Sequence, residues 1–181
     1  MTDETEIIDL EEVEVVEDVN RYKHSLFLVV ADESDGFDIA LRHAAQAAKA
    51  SDGHIGILFV MNIKDFQHWG GVENIMREEQ RSHAEKFLRS VAKKVNDLNG
   101  LFPSFYVREG TKVEEIIKLI EADNRVQSIV LAAGSGKSGQ DKLISYFLDK
   151  GLSNLTVPMV IVPEHLDTDQ IDSITSTYKS A

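Results

Sequence analysis

Five short apolar runs alternate with stretches of helical period, and this alternation narrows the fold more than any other feature of the chain. Leu26-Phe27-Leu28-Val29-Val30-Ala31 is continuous rather than alternating, the mark of a strand covered on both faces. Ile55 to Met61, Phe105 to Val107 with its flanks, Ser128 to Ala133 and Val157 to Val162 repeat the pattern. Between them Phe37, Ala40, Leu41, Ala44, Ala45 and Ala48 recur at helical spacing, as do Val72, Ile75, Met76, Ala84, Phe87, Leu88, Val91, Val95 and Leu98 ahead of Asn99-Gly100. Thr111 and Glu114 spell a capping box before Val113, Ile116, Ile117 and Ile120. A short fourth helix is expected to place Leu143, Ile144, Phe147 and Leu148 on one side, with Gly151 just past its end.

The order β-α-β-α-β-α-β-α-β predicts an α/β fold: a single doubly wound, five-stranded parallel sheet with right-handed crossovers and helices on both faces. With the first strand central the strand order is 3-2-1-4-5, and a crevice opens between the carboxyl ends of strands 1 and 4, where a small-molecule site is expected. The last strand, Thr156 to Pro163, carries prolines and so belongs at a sheet edge. Its bare apolar side offers a homodimer surface through Val157 to Val162; alternatively, proline only guards the edge against aggregation.

Charge divides the chain. The net charge is −12, yet residues 1 to 20 hold nine acids and no base, and residues 164 to 181 hold four acids against Lys179, so the middle is neutral. The expected organisation is an acidic, disordered tail over residues 1–21, a folded domain over 22–165 and a C-terminal tail over 166–181. Val13, Val15, Val16 and Val19 among the glutamates leave open an added edge strand or a partner-binding segment. The absence of cysteine removes disulfides, Cys-ligated metals and Cys nucleophiles together. No run reaches the roughly 20 apolar residues of a membrane span, and MTDETEIIDL lacks the basic start and apolar stretch of a signal peptide, so a cytoplasmic location is expected, with no membrane partner. The acidity disfavours nucleic acid, although less for the neutral middle than for the whole chain.

Two loops meet at the expected crevice: Asp32-Glu33-Ser34-Asp35 after strand 1 and Gly134-Ser135-Gly136-Lys137-Ser138-Gly139 after strand 4. A glycine-rich turn from strand into helix aims backbone N–H groups at an anion, and Lys137 and Lys142 add charge; the bland reading is a tight turn without ligand. GSGKS is not a P-loop, because the first glycine of that pattern would fall on Leu131 inside a strand. Asp32 suits a ribose diol, which offers two O–H donors, or simply the cap of the first helix. Asp35-Gly36 fails as a calcium loop, since Ala31 and Arg42 fall on the first and last ligand positions. The six histidines show no metal spacing, and there is no G-x-S-x-G. The loop Phe66-Gln67-His68-Trp69-Gly70-Gly71 is either a lid or a plain surface loop.

From about Tyr22 to His165 the chain resembles a universal stress protein domain. The resemblance rests on Val29-Val30-Ala31-Asp32-Glu33-Ser34, Gly56-Ile57-Leu58-Phe59-Val60, Arg108-Glu109-Gly110, Val130-Leu131-Ala132-Ala133-Gly134 and Val160-Ile161-Val162-Pro163. It implies an adenine-nucleotide alpha-hydrolase-like fold, a stress-response or regulatory role, dimerisation through the last strand and, in one branch, ATP binding with at most slow hydrolysis. Asp32 and Val60 would then face the adenosine. Gly136, Lys137, Ser138 and Gly139 would supply G-x-x-G, or Gly134 its first glycine, with magnesium entering only with the nucleotide. Where that branch has Gly-Ser, nine residues after Gly139, this chain has Asp149-Lys150. The alternative is the branch without nucleotide, a dimeric interaction module.

Overall fold

The computed structural model of the protein describes residues 25–34, 36–62, 73–134 and 139–178. Its elements are β1 (Leu26–Val30), α1 (Phe37–Ala50), β2 (His54–Met61), α2 (Glu73–Asn99), β3 (Ser104–Glu109), α3 (Lys112–Ala122), β4 (Val126–Ala133), α4 (Gly139–Tyr146), β5 (Met159–Pro163) and α5 (Thr168–Ser176). The strands form one parallel sheet in the order β3-β2-β1-β4-β5, the expected winding with β1 at its centre.

The unbroken apolar runs follow from this placement. Successive residues of β1 face opposite layers, and both layers are dry: Leu28 and Val29 are each 0% exposed. Val29, Ile57, Val130 and Val162 pack under Ala40, Ala44 and Ala48 of α1, Val91 and Val95 of α2 and Ile171 of α5. Leu28, Leu58, Ile129 and Leu131 pack over Ile116 and Leu119 of α3 and over Leu143 and Phe147. The alanines of α1 present a flat, small-residue face to the centre of the sheet. Gly36 serves the same close approach, because a Cβ there would lie 2.9 Å from Glu164 Cβ and 3.3 Å from Ala132 Cβ.

The ends of the elements show local chemistry. Gly100, at φ +79°, ends α2 with its N–H on the Asn96 carbonyl at 2.8 Å, the role Asn99-Gly100 predicts. The Thr111 hydroxyl accepts from the Glu114 N–H at the start of α3. After α4 the chain winds into a single π turn, Phe147–Gly151, and a 3-10 turn, Leu152–Asn154. This turn corrects two expectations. Phe147 is fully buried, but Leu148 is 57% exposed, because the wider turn rotates it out of the apolar face. Gly151 lies inside the turn at φ −99° rather than in a left-handed cap, and a Cβ there would meet Phe147 Cδ1 at 2.7 Å.

β5 begins at Met159, later than the apolar run starts, with Pro158 accepting from the Ile129 N–H through its carbonyl at 3.0 Å. It lies at the sheet edge, where its missing donor is harmless. The segment 166–181, expected as a tail, instead holds α5. Asp167 and Gln170 cap one another's backbone N–H groups, and Ile171 is fully buried against the α1 layer. The acidic residues 1–21 and the Trp69 loop lie outside the described residues. No described helix is long and apolar enough to cross a membrane.

Candidate functional site

A cleft of about 510 Å³ opens over the carboxyl ends of β1 and β2. Its lining among the described residues comes from Ala31 to Glu33, from Phe59 to Asn62, from the inner side of α2 and from Lys112. The described lining thus comes from the β1/β2 side of the carboxyl edge, next to the β1/β4 crevice expected from the winding. Strand ends gather here because every parallel strand presents its last residues, and the loop that follows, at the same edge of the sheet.

Asp32 and Val60 line this one cleft. Asp32 follows β1 directly, where the ladder ends with the Ala31 N–H on the Leu58 carbonyl at 2.8 Å. Its Oδ2 is buried and accepts no hydrogen bond among the described residues. A buried carboxylate oxygen without a donor is costly, so it is an acceptor waiting for one. Val60 stands half-buried near the end of β2, paired in register with Arg108 of β3.

Two residues of the cleft lining, Lys112 and His83, escape sequence reading. Lys112, the first residue of α3, extends its Nζ to 3.4 Å from the Ala31 carbonyl and brings a positive charge beside Asp32. Glu33 and His83 bond across the rim, joining the β1 loop to α2 through side chains that stay more than half exposed. Asp141, in the first turn of α4, accepts the Gly134 N–H on Oδ1 at 3.0 Å. The readable signal for Lys112 is its position just after β3, at the carboxyl edge of the sheet.

The glycine turn is described only at its ends. Gly134 closes β4 and Gly139 opens α4, while Gly136, Lys137 and Ser138 lie outside the described residues. The β1–β4 register sets Val29 opposite Val130, so the two strands deliver Asp32 and Gly134 to the same edge of the sheet. Asp149 and Lys150 sit in the π turn with side chains 73% and 74% exposed, 3.9 Å from one another. Among the described residues no group of three or more His, Asp or Glu side chains is arranged to hold a metal ion.

Fold and cleft together define a doubly wound α/β domain with a small-ligand cleft at the carboxyl edge of its sheet. The model of the universal stress protein family matches residues 26–163, and the chain belongs to that family. Among solved structures it is similar to a universal stress protein UspA from Lactobacillus plantarum, with 17% identity, a TM-score of 0.64, and 77% of this chain and 97% of that one covered. It is also similar to a universal stress protein in complex with cAMP, with 15% identity, a TM-score of 0.55, and 78% and 98% covered. A third similar structure is the universal stress protein from Archaeoglobus fulgidus in complex with dAMP, with 13% identity, a TM-score of 0.50, and 77% and 97% covered. At these identities the likeness to solved structures is one of fold. No curated protein matches the chain.

Proposed function

We propose that the protein is a regulatory universal stress protein that binds an adenine nucleotide in the β1/β2 cleft. The observation that carries this reading is the buried Oδ2 of Asp32, which accepts no hydrogen bond among the described residues. A ribose offers adjacent hydroxyl donors to such an oxygen, and Val60 and Met61 give the cleft an apolar wall for the base. Lys112 offsets the negative charge of Asp32 and so lets an anionic ligand enter. The complexes of related folds with cAMP and dAMP support an adenine ligand.

In this reading the protein acts in the cytoplasm and signals by its loaded state, with at most slow hydrolysis. ATP is the ligand the sequence resemblance implies, with magnesium accompanying it, and by that resemblance Gly136, Lys137, Ser138 and Gly139 would supply the phosphate contacts. A second copy docks along the β5 edge, where Met159, Val160 and Ile161 are only half-buried. Titration calorimetry with adenosine, AMP and ATP at about 100 μM protein tests the reading. Heat with at least one of them is expected, and none with any of them overturns it in favour of a nucleotide-free dimeric interaction module.

A further inference from the structure

Lys112 stands where its own helix gains nothing from it. A cation in the first turn opposes the helix dipole, which Glu114 and Glu115 of the same turn satisfy. The half-buried side chain instead crosses to the sheet and lines the cleft, its Nζ donating to the Ala31 carbonyl at 3.4 Å. An ammonium has three N–H donors, and among the described residues Ala31 is the only acceptor Lys112 reaches, so the others are left for a ligand.

The neighbours of Lys112 say what kind of ligand. Asp32 follows Ala31 directly and lines the same cleft, yet no ion pair joins it to Lys112. The wall therefore carries an acceptor without a donor, Asp32 Oδ2, close to a cation without a counter-ion among the described residues. His83, the other basic side chain of the described lining, is already bonded to Glu33. A ligand that suits both groups brings a hydroxyl donor and an anion close together. A ribose with a phosphate esterified to it does so, whereas a neutral nucleoside answers only Asp32.

We propose that Lys112 is a specificity-determining residue that takes the phosphate attached directly to the ribose, so that the cleft selects a nucleotide over its nucleoside. The proposal rests on the reading of the cleft as an adenine-nucleotide site. Phosphates beyond the first lie outside the reach of Lys112 and gain nothing from it.

The test is calorimetric titration of adenosine, AMP and ATP into the full-length protein and into Lys112→Gln and Lys112→Arg, with folding checked by circular dichroism; Lys112→Met takes the place of Lys112→Gln if that variant does not fold. The wild type is expected to bind AMP at least about tenfold more tightly than adenosine. Lys112→Gln should bring the two within about threefold by weakening AMP while adenosine affinity stays unchanged, and Lys112→Arg should keep most of the preference. AMP bound no more tightly than adenosine by the wild type overturns the proposal, as does a loss confined to ATP. Equal weakening of adenosine and AMP in Lys112→Gln also overturns it, since Lys112 would then act only by holding the end of β1 and Asp32 in place. Adenosine binding in any of these outcomes leaves the underlying reading standing, whereas no binding of any of the three ligands removes both.

Discussion

Arg42 of α1 grips Asp172 of α5 with two parallel hydrogen bonds, Nε to Oδ1 at 2.8 Å and Nη2 to Oδ2 at 2.6 Å. Gln46 adds a third contact at 3.3 Å, and the Arg42 bond holds the Asp172 carboxyl below its ordinary range. The helix so anchored lies beyond residues 26–163, the span matched by the family model, yet it closes the core with Ile171.

Apolar burial rather than this ion pair carries the docking of α5. Both partners of the pair remain partly exposed, at 26% and 39%, and such pairs contribute under about 1 kcal/mol. Ile171→Ala leaves a hole in a closed layer and is expected to cost about 2–4 kcal/mol. Urea unfolding of Asp172→Ala and Ile171→Ala should therefore separate clearly; equal losses would contradict this division.

Acid should weaken the fold through His54. Burial, with Arg125 adding to it, pushes this imidazole down from 6.5 to about 4, and Ser104 Oγ lies 2.9 Å from its Nε2. The native state therefore favours the neutral ring. That contribution is fully present above pH 6.5 and declines as pH falls toward 4, by up to about 3 kcal/mol. His43, also pushed down by burial, acts in the same direction. Melting temperature followed from pH 7 to pH 5 should fall less steeply in His54→Gln than in the wild type, and identical slopes would refute the assignment.

Gly151 is required for space. At φ −99° any residue fits the backbone, yet a Cβ would stand 2.7 Å from Phe147 Cδ1 and 3.0 Å from Tyr146 Cε1. Gly151→Ala is expected to cost about 1–3 kcal/mol by forcing the buried Phe147 to move. A chemical denaturation curve unchanged by the substitution would show that the π turn yields freely.

The sheet was legible because its signal is local. An unbroken run such as Leu26 to Ala31 occurs only where both faces are covered, and alternation with helices then fixes parallel winding. Asp32 was readable as a residue at a strand's carboxyl end, whereas Val60 entered only through the family resemblance; both line the cleft. His83 and Lys112 were not readable, because which turn of a helix overhangs the cleft depends on packing between segments fifty and more residues apart. Counting glycines after β4 passed over Asp141, which accepts the Gly134 N–H. Leu148 misled because the helical period assumes 3.6 residues per turn, which the π turn breaks. α5 was hidden by the net negative charge of its segment, although Asp167 and Gln170 carry the spacing of a capping box.

The account turns on one oxygen, Asp32 Oδ2, buried and without a donor among the described residues. Its most direct test is adenosine binding by calorimetry to the wild type and to Asp32→Ala, with the fold of both checked by circular dichroism. Measurable binding by the wild type and a loss of about tenfold or more in the variant is the predicted result, the size of a hydrogen bond to a charged group. Equal adenosine affinity in the two proteins would contradict it.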